Sequence, residues 1–254
     1  MDAESIGRAA DLLVDVRRSR RRLTDLPPDL QPSDIAAAYA VQDAVVARAG
    51  TIGGWKVSPP TPVEEPRCSP VLAADIHASP ANLTFAANLI APEIEVEIAL
   101  LLARDLPARA RAFDAEEVAE AIGSAHPALE ILSSRFENRK AVPPNAAVAD
   151  GQSSGGIVFG PALTDWRSLD FANVAMELYY DDERVGHCAG GPTLAVVLEE
   201  MTWLANHAAR RNGGLKSGQI VITGARIKPI PIPRPNSRVR AEVAGLGSVS
   251  AKFD

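Results

Sequence analysis

The stretch IEVEIA, residues 94–99, lies inside the longer run LIAPEIEVEIALLLARDLP, residues 89–107. Glu95 and Glu97 alternate with Ile94, Val96 and Ile98. β-Branched residues at every second position favour a strand. On a strand, residues i and i+2 share a face, roughly 6.5–7 Å apart; on a helix they would diverge by about 200°. The two glutamates therefore share one face and the other face is apolar. A half-exposed strand with a wet side is one reading. The sequel ALLLA, residues 99–103, drops the polar alternation and argues that the strand enters a core. Two like-charged carboxylates buried without compensation cost several kcal/mol, or one must take up a proton. A divalent cation removes both problems, and paired oxygen ligands suit Mg²⁺ or Mn²⁺. Glu93 extends the alternation but stands next to Pro92, at the outer end of the strand.

A second acid stands in equally apolar company. In HPALEIL, residues 126–132, Glu130 lies between Leu129 and Ile131. Glu95, Glu97 and Glu130 make three acids in core-like strands, a candidate metal-ligand set.

The rest of the chain reads as many short strands with few helices. Residues 3–22 form one helix, with Leu12, Leu13 and Val16 on one side, and TDLPPDLQP is a linker because proline breaks a helix interior. Ser33 reads as the N-cap of a helix ending at Gly50. GGWKVS, 53–58, is a turn entering a strand, and PPTPVEEPRCSP, 59–70, is a proline-rich loop. FDAEEVAEAIGSAH reads as a helix with Asp114 as cap and Glu117 at its third position, a capping box. IVFGPAL, VAMELYYDDERV, QIVITGA, RVRAEV and SVSAKF are strand candidates: Asp181-Asp182 sits at one hairpin tip, AGLG joins the last two strands, and a helix spans roughly 192–211. The pattern predicts an α+β fold, with residues 1–52 a helical region packed on a main domain of residues 53–254.

Composition narrows the function. A net charge of −6 and a pI near 5.3 give no field for nucleic acid or an anionic membrane. The basic run Arg17, Arg18, Arg20, Arg21 and Arg22 can be a phosphate contact or a solvated helix end; the acidic balance favours the helix end. No apolar run approaches the ~18 residues of a membrane span, and the N-terminus lacks a secretory apolar core. Cys68 and Cys188 form no CxxC pair, which suits a reducing cytoplasm. DGQSSGGIVFG has neither GxGxxG nor Walker spacing, and no GxSxG elbow exists. His77, His126, His187 and His207 are scattered; only His77, in ADIHAS, falls near a candidate site segment.

IEVEIALLLARDLP, HPALEILSSRF, DGQSSGGIVFG, SGQIVITGA and VRAEVAGLGSVSAKF together resemble the 2-keto-4-pentenoate hydratase family of the fumarylacetoacetate hydrolase superfamily, from about Gly53 to the C-terminus. The resemblance implies mixed sheets forming a compressed β-roll with N-terminal helices. It implies Glu95, Glu97 and Glu130 as ligands of Mg²⁺ or Mn²⁺. Lys56 of WKVS, Ser153 of DGQSSG and Asp75 of ADIHAS fall on the family's catalytic positions. Thr223-Gly224, with Arg226 after them, fall on its substrate-binding segment. Asp150-Gly151 replaces the family's Asp-Asn, GGPT its Gly-His-Pro, and ARIKPIPIP, 225–233, its apolar loop; Arg226 and Lys228 there either bring two cations to the distal end of the substrate or, the slightly favoured reading, turn to solvent among the prolines. The implied activity is hydration of a 2-hydroxy-2,4-dienoate in aromatic-compound catabolism by a homo-oligomer. A 2-oxo-diacid decarboxylase, an acylpyruvate C–C hydrolase and a non-catalytic partner subunit stand as alternatives. The hydrolase is disfavoured because no His-Glu dyad is apparent near Lys56.

Overall fold

The structure, a computed structural model, describes residues 1–59, 65–84 and 89–254. The described residues form α1 (Ala3–Ser19), α2 (Ile35–Ala49), α3 (Ala115–Ala121), α4 (Pro144–Ala149) and α5 (Leu194–Arg211). Their strands are β1 (Ile52–Ser58), β2 (Arg67–Leu72), β3 (Ile76–Ala78), β4 (Ala81–Leu83), β5 (Glu93–Leu102), β6 (Leu106–Pro107), β7 (Ile122–Leu132), β8 (Ser154–Phe159), β9 (Met176–Tyr180), β10 (Glu183–Cys188), β11 (Gly214–Leu215), β12 (Ile220–Ile222), β13 (Ile227–Pro231), β14 (Ser237–Val243) and β15 (Gly247–Phe253). The larger sheet runs β2-β1-β12-β5-β7-β8-β3, with β13 also on β5. A second sheet runs β10-β9-β14-β15-β4, and β11 pairs with β6. Both large sheets are mixed: β1/β12, β3/β8 and β15/β4 are parallel pairs in otherwise antiparallel surroundings. The architecture is the expected α+β fold.

Strand alternation sorts β5 as its sequence demands. Ile94, Val96, Ile98 and Leu100 enter the main core, where Leu178, Val239, Ala241 and Val249 of the second sheet also lie. The opposite face carries Glu95 and Glu97, then Ala99 and Leu101. Ala99 and Leu101 join a smaller apolar cluster with Val71, Ala128, Ile157, Ile220 and Ile222. The second face is thus polar at one end and closed by hydrocarbon at the other.

Several local expectations are corrected. Asp34, not Ser33, caps α2: its carboxylate accepts from the Ala37 N–H, and the Ser33 hydroxyl donates to Asp34. α1 ends at Ser19, because Arg20 turns left-handed (φ 60°). α3 has its capping box but stops at Ala121, and IGSAH belongs to β7, whose long pairing with β5 outweighs one more helical turn. RCSP, assigned to a loop, begins β2; residues 60–64 of that stretch lie outside the described residues. IKPIP is not a loop but β13; its two prolines lack an N–H, and its pairing with β5 is irregular.

Candidate metal centre and substrate cavity

β5 and β7 pair antiparallel with Glu95 opposite Glu130, so the two carboxyl groups face each other across the ladder. Glu97, two residues on, is on the same face. One carboxylate oxygen from each of Glu95, Glu97 and Glu130 lies within 4.8 Å of the others. Lys56 reaches the group from β1, where it pairs with Ile222 of β12, itself opposite Ala99 of β5. Its ammonium donates to Glu130 and to the Gln152 carbonyl, the latter at 3.0 Å. Glu97 accepts from the Gly224 N–H at 2.7 Å. Gly224 has φ +104°, a backbone that L side chains rarely adopt, and this turn aims its N–H at the carboxylate.

The electrostatics are those of a site short of positive charge. Burial pushes the Glu95 carboxyl up to about 8, and the nearby Glu130 carboxylate adds to the effect. Burial pushes Glu97 well above the usual carboxylate range, reinforced by Glu130 and then Glu95. Three carboxylates against one ammonium leave two negative charges to be offset. A divalent cation with hard oxygen ligands matches that deficit in both charge and donor chemistry.

These groups line a cavity of about 340 Å³, within the roughly 300–1,000 Å³ usual for small-ligand sites. Lys56, Ser153, Gly224, Arg67, Arg139 and Lys228 share its wall with the three glutamates. Ser153 is held there by a left-handed turn (φ 65°) and by its carbonyl, which accepts from the Ser133 N–H. Glu93 lies outside the cavity lining and pairs with Arg139 at 2.5 Å.

Three sequence-predicted residues are not brought to this cavity. Asp75 forms a 2.5 Å ion pair with Arg17 of α1, away from the cavity wall. That pair also shows Arg17, one of the basic run, to be structural rather than a solvated helix end; the Arg17 side chain is 19% exposed. Thr223 turns its hydroxyl back to the Ile98 carbonyl at 3.1 Å and is buried. Arg226 points away: its guanidinium donates to the carbonyls of Phe171 and Pro192. Lys228, on the exposed side of β13, lines the cavity, so one of the two cations of this segment reaches it. His77 lines a separate cavity with Asp75.

Sequence reading missed Gln152, Arg67 and Arg139. Arg67 was assigned to a loop and Arg139 lies in irregular chain, where no periodicity speaks. Gln152 gave no signal either: Lys56 and Ser58 are two apart on one strand, but that both bond to Gln152 is set by tertiary contact.

The fumarylacetoacetate (FAA) hydrolase C-terminal family matches residues 39–254. This chain belongs to the fumarylacetoacetate hydrolase family. Within it, a 2-keto-4-pentenoate hydratase 1 of Dechloromonas aromatica (strain RCB) is 32% identical over 96% of this chain and 95% of its own length. A 2-keto-4-pentenoate hydratase of Burkholderia vietnamiensis (strain G4 / LMG 22486) is 29% identical over 99% and 98%. The solved 4-oxalocrotonate decarboxylase of Pseudomonas putida G7, complexed with magnesium and adipate, superposes with a TM-score of 0.86 at 25% identity, covering 100% of this chain and 99% of that one. Among the described residues, no helix of this family member is long and apolar enough to cross a membrane.

Proposed function

We propose that this chain is a divalent-metal-dependent hydro-lyase that adds water to a 2-hydroxy-2,4-dienoate of the 2-keto-4-pentenoate type. The observation that carries the reading is the convergence of Glu95, Glu97 and Glu130 in one cavity with Lys56. Glu95, Glu97 and Glu130 would hold Mg²⁺ or Mn²⁺. Such an ion, when bound, supplies positive charge to the oxygens of a 2-oxo acid. The chain's own groups supply the rest. Conversion of the 2-hydroxydiene to the 2-oxo-3-enoate loses the hydroxyl proton and places one on C5. Water then adds at C4 and a proton goes to C3. Lys56 is the proton carrier within the cavity, and the Ser153 hydroxyl is placed to orient the water or the substrate carboxylate.

A second reading has its own observation. Lys228 lines the cavity besides Lys56, with Arg67 and the Glu93-paired Arg139 on the same wall, a cationic lining that a monoacid does not need. A 2-oxo diacid would meet them with its distal carboxylate, and loss of CO₂ from it would be decarboxylation. An intact buried acid set argues against a non-catalytic partner, which has no use for it. Assembly as a homo-oligomer, at least a dimer, a cytoplasmic location and the division at residues 52/53 belong to the same proposal. Two free thiols, and helix α2 packed on β2 and α4 with α1 against α2, support the last two.

The test is product analysis with 2-hydroxypenta-2,4-dienoate and with 2-oxohex-3-enedioate, each with Mn²⁺ and with chelator. Metal-dependent gain of water by the first compound is the expected result. Release of CO₂ from the second, without hydration of the first, would replace the hydratase by the decarboxylase. Sedimentation velocity of the active enzyme checks assembly.

A further inference from the structure

Lys56 and Ser58 lie two apart on β1 and so share a face; Ser69 stands directly opposite Lys56 on β2. All three bond to one residue, Gln152. The Ser69 hydroxyl donates to Gln152 Oε1 at 2.8 Å. Gln152 Nε2 donates to the Ser58 hydroxyl at 2.8 Å. The Lys56 ammonium donates to the Gln152 carbonyl at 3.0 Å. Gln152 itself is left-handed, φ 51° and ψ 43°, in a run of three positive-φ residues from Gly151 to Ser153. Glutamine does not choose that backbone; its surroundings must hold it there. The two side-chain anchors do so. They tie the turn to the β1–β2 hairpin and leave its carbonyl facing Lys56. The tie extends outward. Ser69, fully buried, also accepts from Gln42 Nε2 of α2 at 3.0 Å, and Gln42 accepts from Arg211 of α5 at 3.0 Å.

We propose that Gln152 is a positioning residue for this reaction: its side chain, clamped between Ser58 and Ser69, holds a left-handed turn whose carbonyl fixes the Lys56 ammonium and whose next residue presents Ser153. An ammonium has three donors. Glu130 and the Gln152 carbonyl take two, so one N–H is left for the cavity. Without the clamp the turn relaxes towards an ordinary backbone, the carbonyl leaves Lys56, and the ammonium is held by Glu130 alone. Misplacement of a proton carrier by about 1 Å costs on the order of 10²-fold in rate. Gln42 makes α2 part of the same support, so the N-terminal helices act on the site through Ser69.

The proposal rests on the hydro-lyase reading for its effect on rate, but not for the clamp itself. The experiment therefore uses two readouts on the full-length chain. Gln152→Met keeps length and loses the amide; Ser58→Ala breaks one anchor at a half-buried position. The first readout is reductive methylation of metal-free protein, followed by peptide mass spectrometry. Lys56 is expected to react at least about fivefold faster in both variants, with Lys140 and Lys216 unchanged. The second is kinetics with Mn²⁺: kcat falls at least about tenfold and KM moves less than about twofold. If Gln152→Met unfolds, seen as faster labelling of every lysine, Ser58→Ala decides alone. Unchanged Lys56 labelling overturns the clamp. Faster labelling with unchanged kcat overturns its role in the reaction. An inactive wild-type chain whose Lys56 labelling still responds would overturn the hydro-lyase reading and leave the clamp standing.

Discussion

At Glu97 a single side chain meets the two demands placed on the site. It is 2% exposed, it accepts a hydrogen bond from the Gly224 N–H, and two other carboxyl groups are its neighbours. Burial, followed by Glu130 and Glu95, favours its protonated form, so ionised Glu97 costs the folded protein stability. Glu97→Gln is expected to make the metal-free protein more stable at pH 8, because a neutral amide replaces a costly carboxylate. The same variant is expected to lose the thermal shift that Mn²⁺ gives the wild type. That shift is about 2.7 kcal/mol at 100-fold excess over Kd, or about 5–10 °C for a chain of this size. Differential scanning calorimetry with and without Mn²⁺ reads both; a variant that still responds to the ion would remove Glu97 from the ligand set. Lys56 makes the opposite case, a cation beside the acids. Lys56→Met is expected to lower kcat by about 10²–10⁴-fold while Mn²⁺ affinity, followed by titration calorimetry, is kept. Activity within about threefold of wild type would end its role as proton carrier.

Elements decide which side chains reach the cavity. β13 is the instructive one. Arg226 immediately before it and Lys228 within it are two apart, and the sequence leaves both between substrate and solvent. The strand instead pairs irregularly with β5 between Ile227 and Ile230. Arg226 is drawn under the segment before α5, onto two carbonyls, while Lys228 stays on the cavity side. Arg226→Ala is accordingly expected to destabilise the fold by about 1–3 kcal/mol, since it strands the buried Phe171 carbonyl and the part-buried Pro192 carbonyl. It leaves the ratio of kcat/KM for diacid and monoacid substrates unchanged. Lys228→Ala is expected to do the reverse and lower the diacid ratio about tenfold or more, the worth of a charge-assisted bond. Urea unfolding and paired kinetics separate the two, and an unchanged ratio in Lys228→Ala would remove the argument for a distal carboxylate.

At the scale of the whole molecule, α5 carries two titratable groups that the site does not use, Glu200 buried and His207 half-buried. His207 stacks on Trp203 with centroids 4.8 Å apart, and burial, then Arg211 and Arg210, lowers its pKa to about 4. Burial, then Glu199, raises the Glu200 carboxyl to about 7, and neither of its oxygens has a hydrogen-bond partner among the described residues. A base lowered in the fold contributes stability that is present above its unfolded value near 6.5 and lost as pH falls towards 4. An acid raised in the fold does the opposite: stability declines as pH rises from about 4.5 to 7. The two slopes oppose each other over nearly the same window. His207→Phe keeps the ring stack and is expected to remove the acid-side loss, on the order of 1 kcal/mol after discounting for partial exposure. Glu200→Gln is expected to remove the decline on the other side. Melting curves from pH 4 to 8, taken as variant minus wild type, show the two slopes with opposite sign; parallel curves would exclude the linkage.

Much of the site was legible because a strand has a period of two. Alternation in IEVEIA put Glu95 and Glu97 on one face, and the apolar sequel put that face against a core. The carboxylate of HPALEIL then needed only to be nearby. The sequence also determined the α3 capping box, the two hairpins and the span of α5, all of which rest on contacts within a few residues. Register was beyond it. That Glu95 stands opposite Glu130, and Ser69 opposite Lys56, is fixed by how whole strands pair, and a slip of one residue would send either partner to the other face. Side-chain direction in irregular chain was beyond it too: Asp75 left the site for Arg17, Thr223 turned to Ile98 and Arg226 to Phe171, each satisfying a partner from a distant segment. Gln152 joins both lessons. Its place in the chain is plain, but its left-handed backbone exists only because two serines from another hairpin hold it.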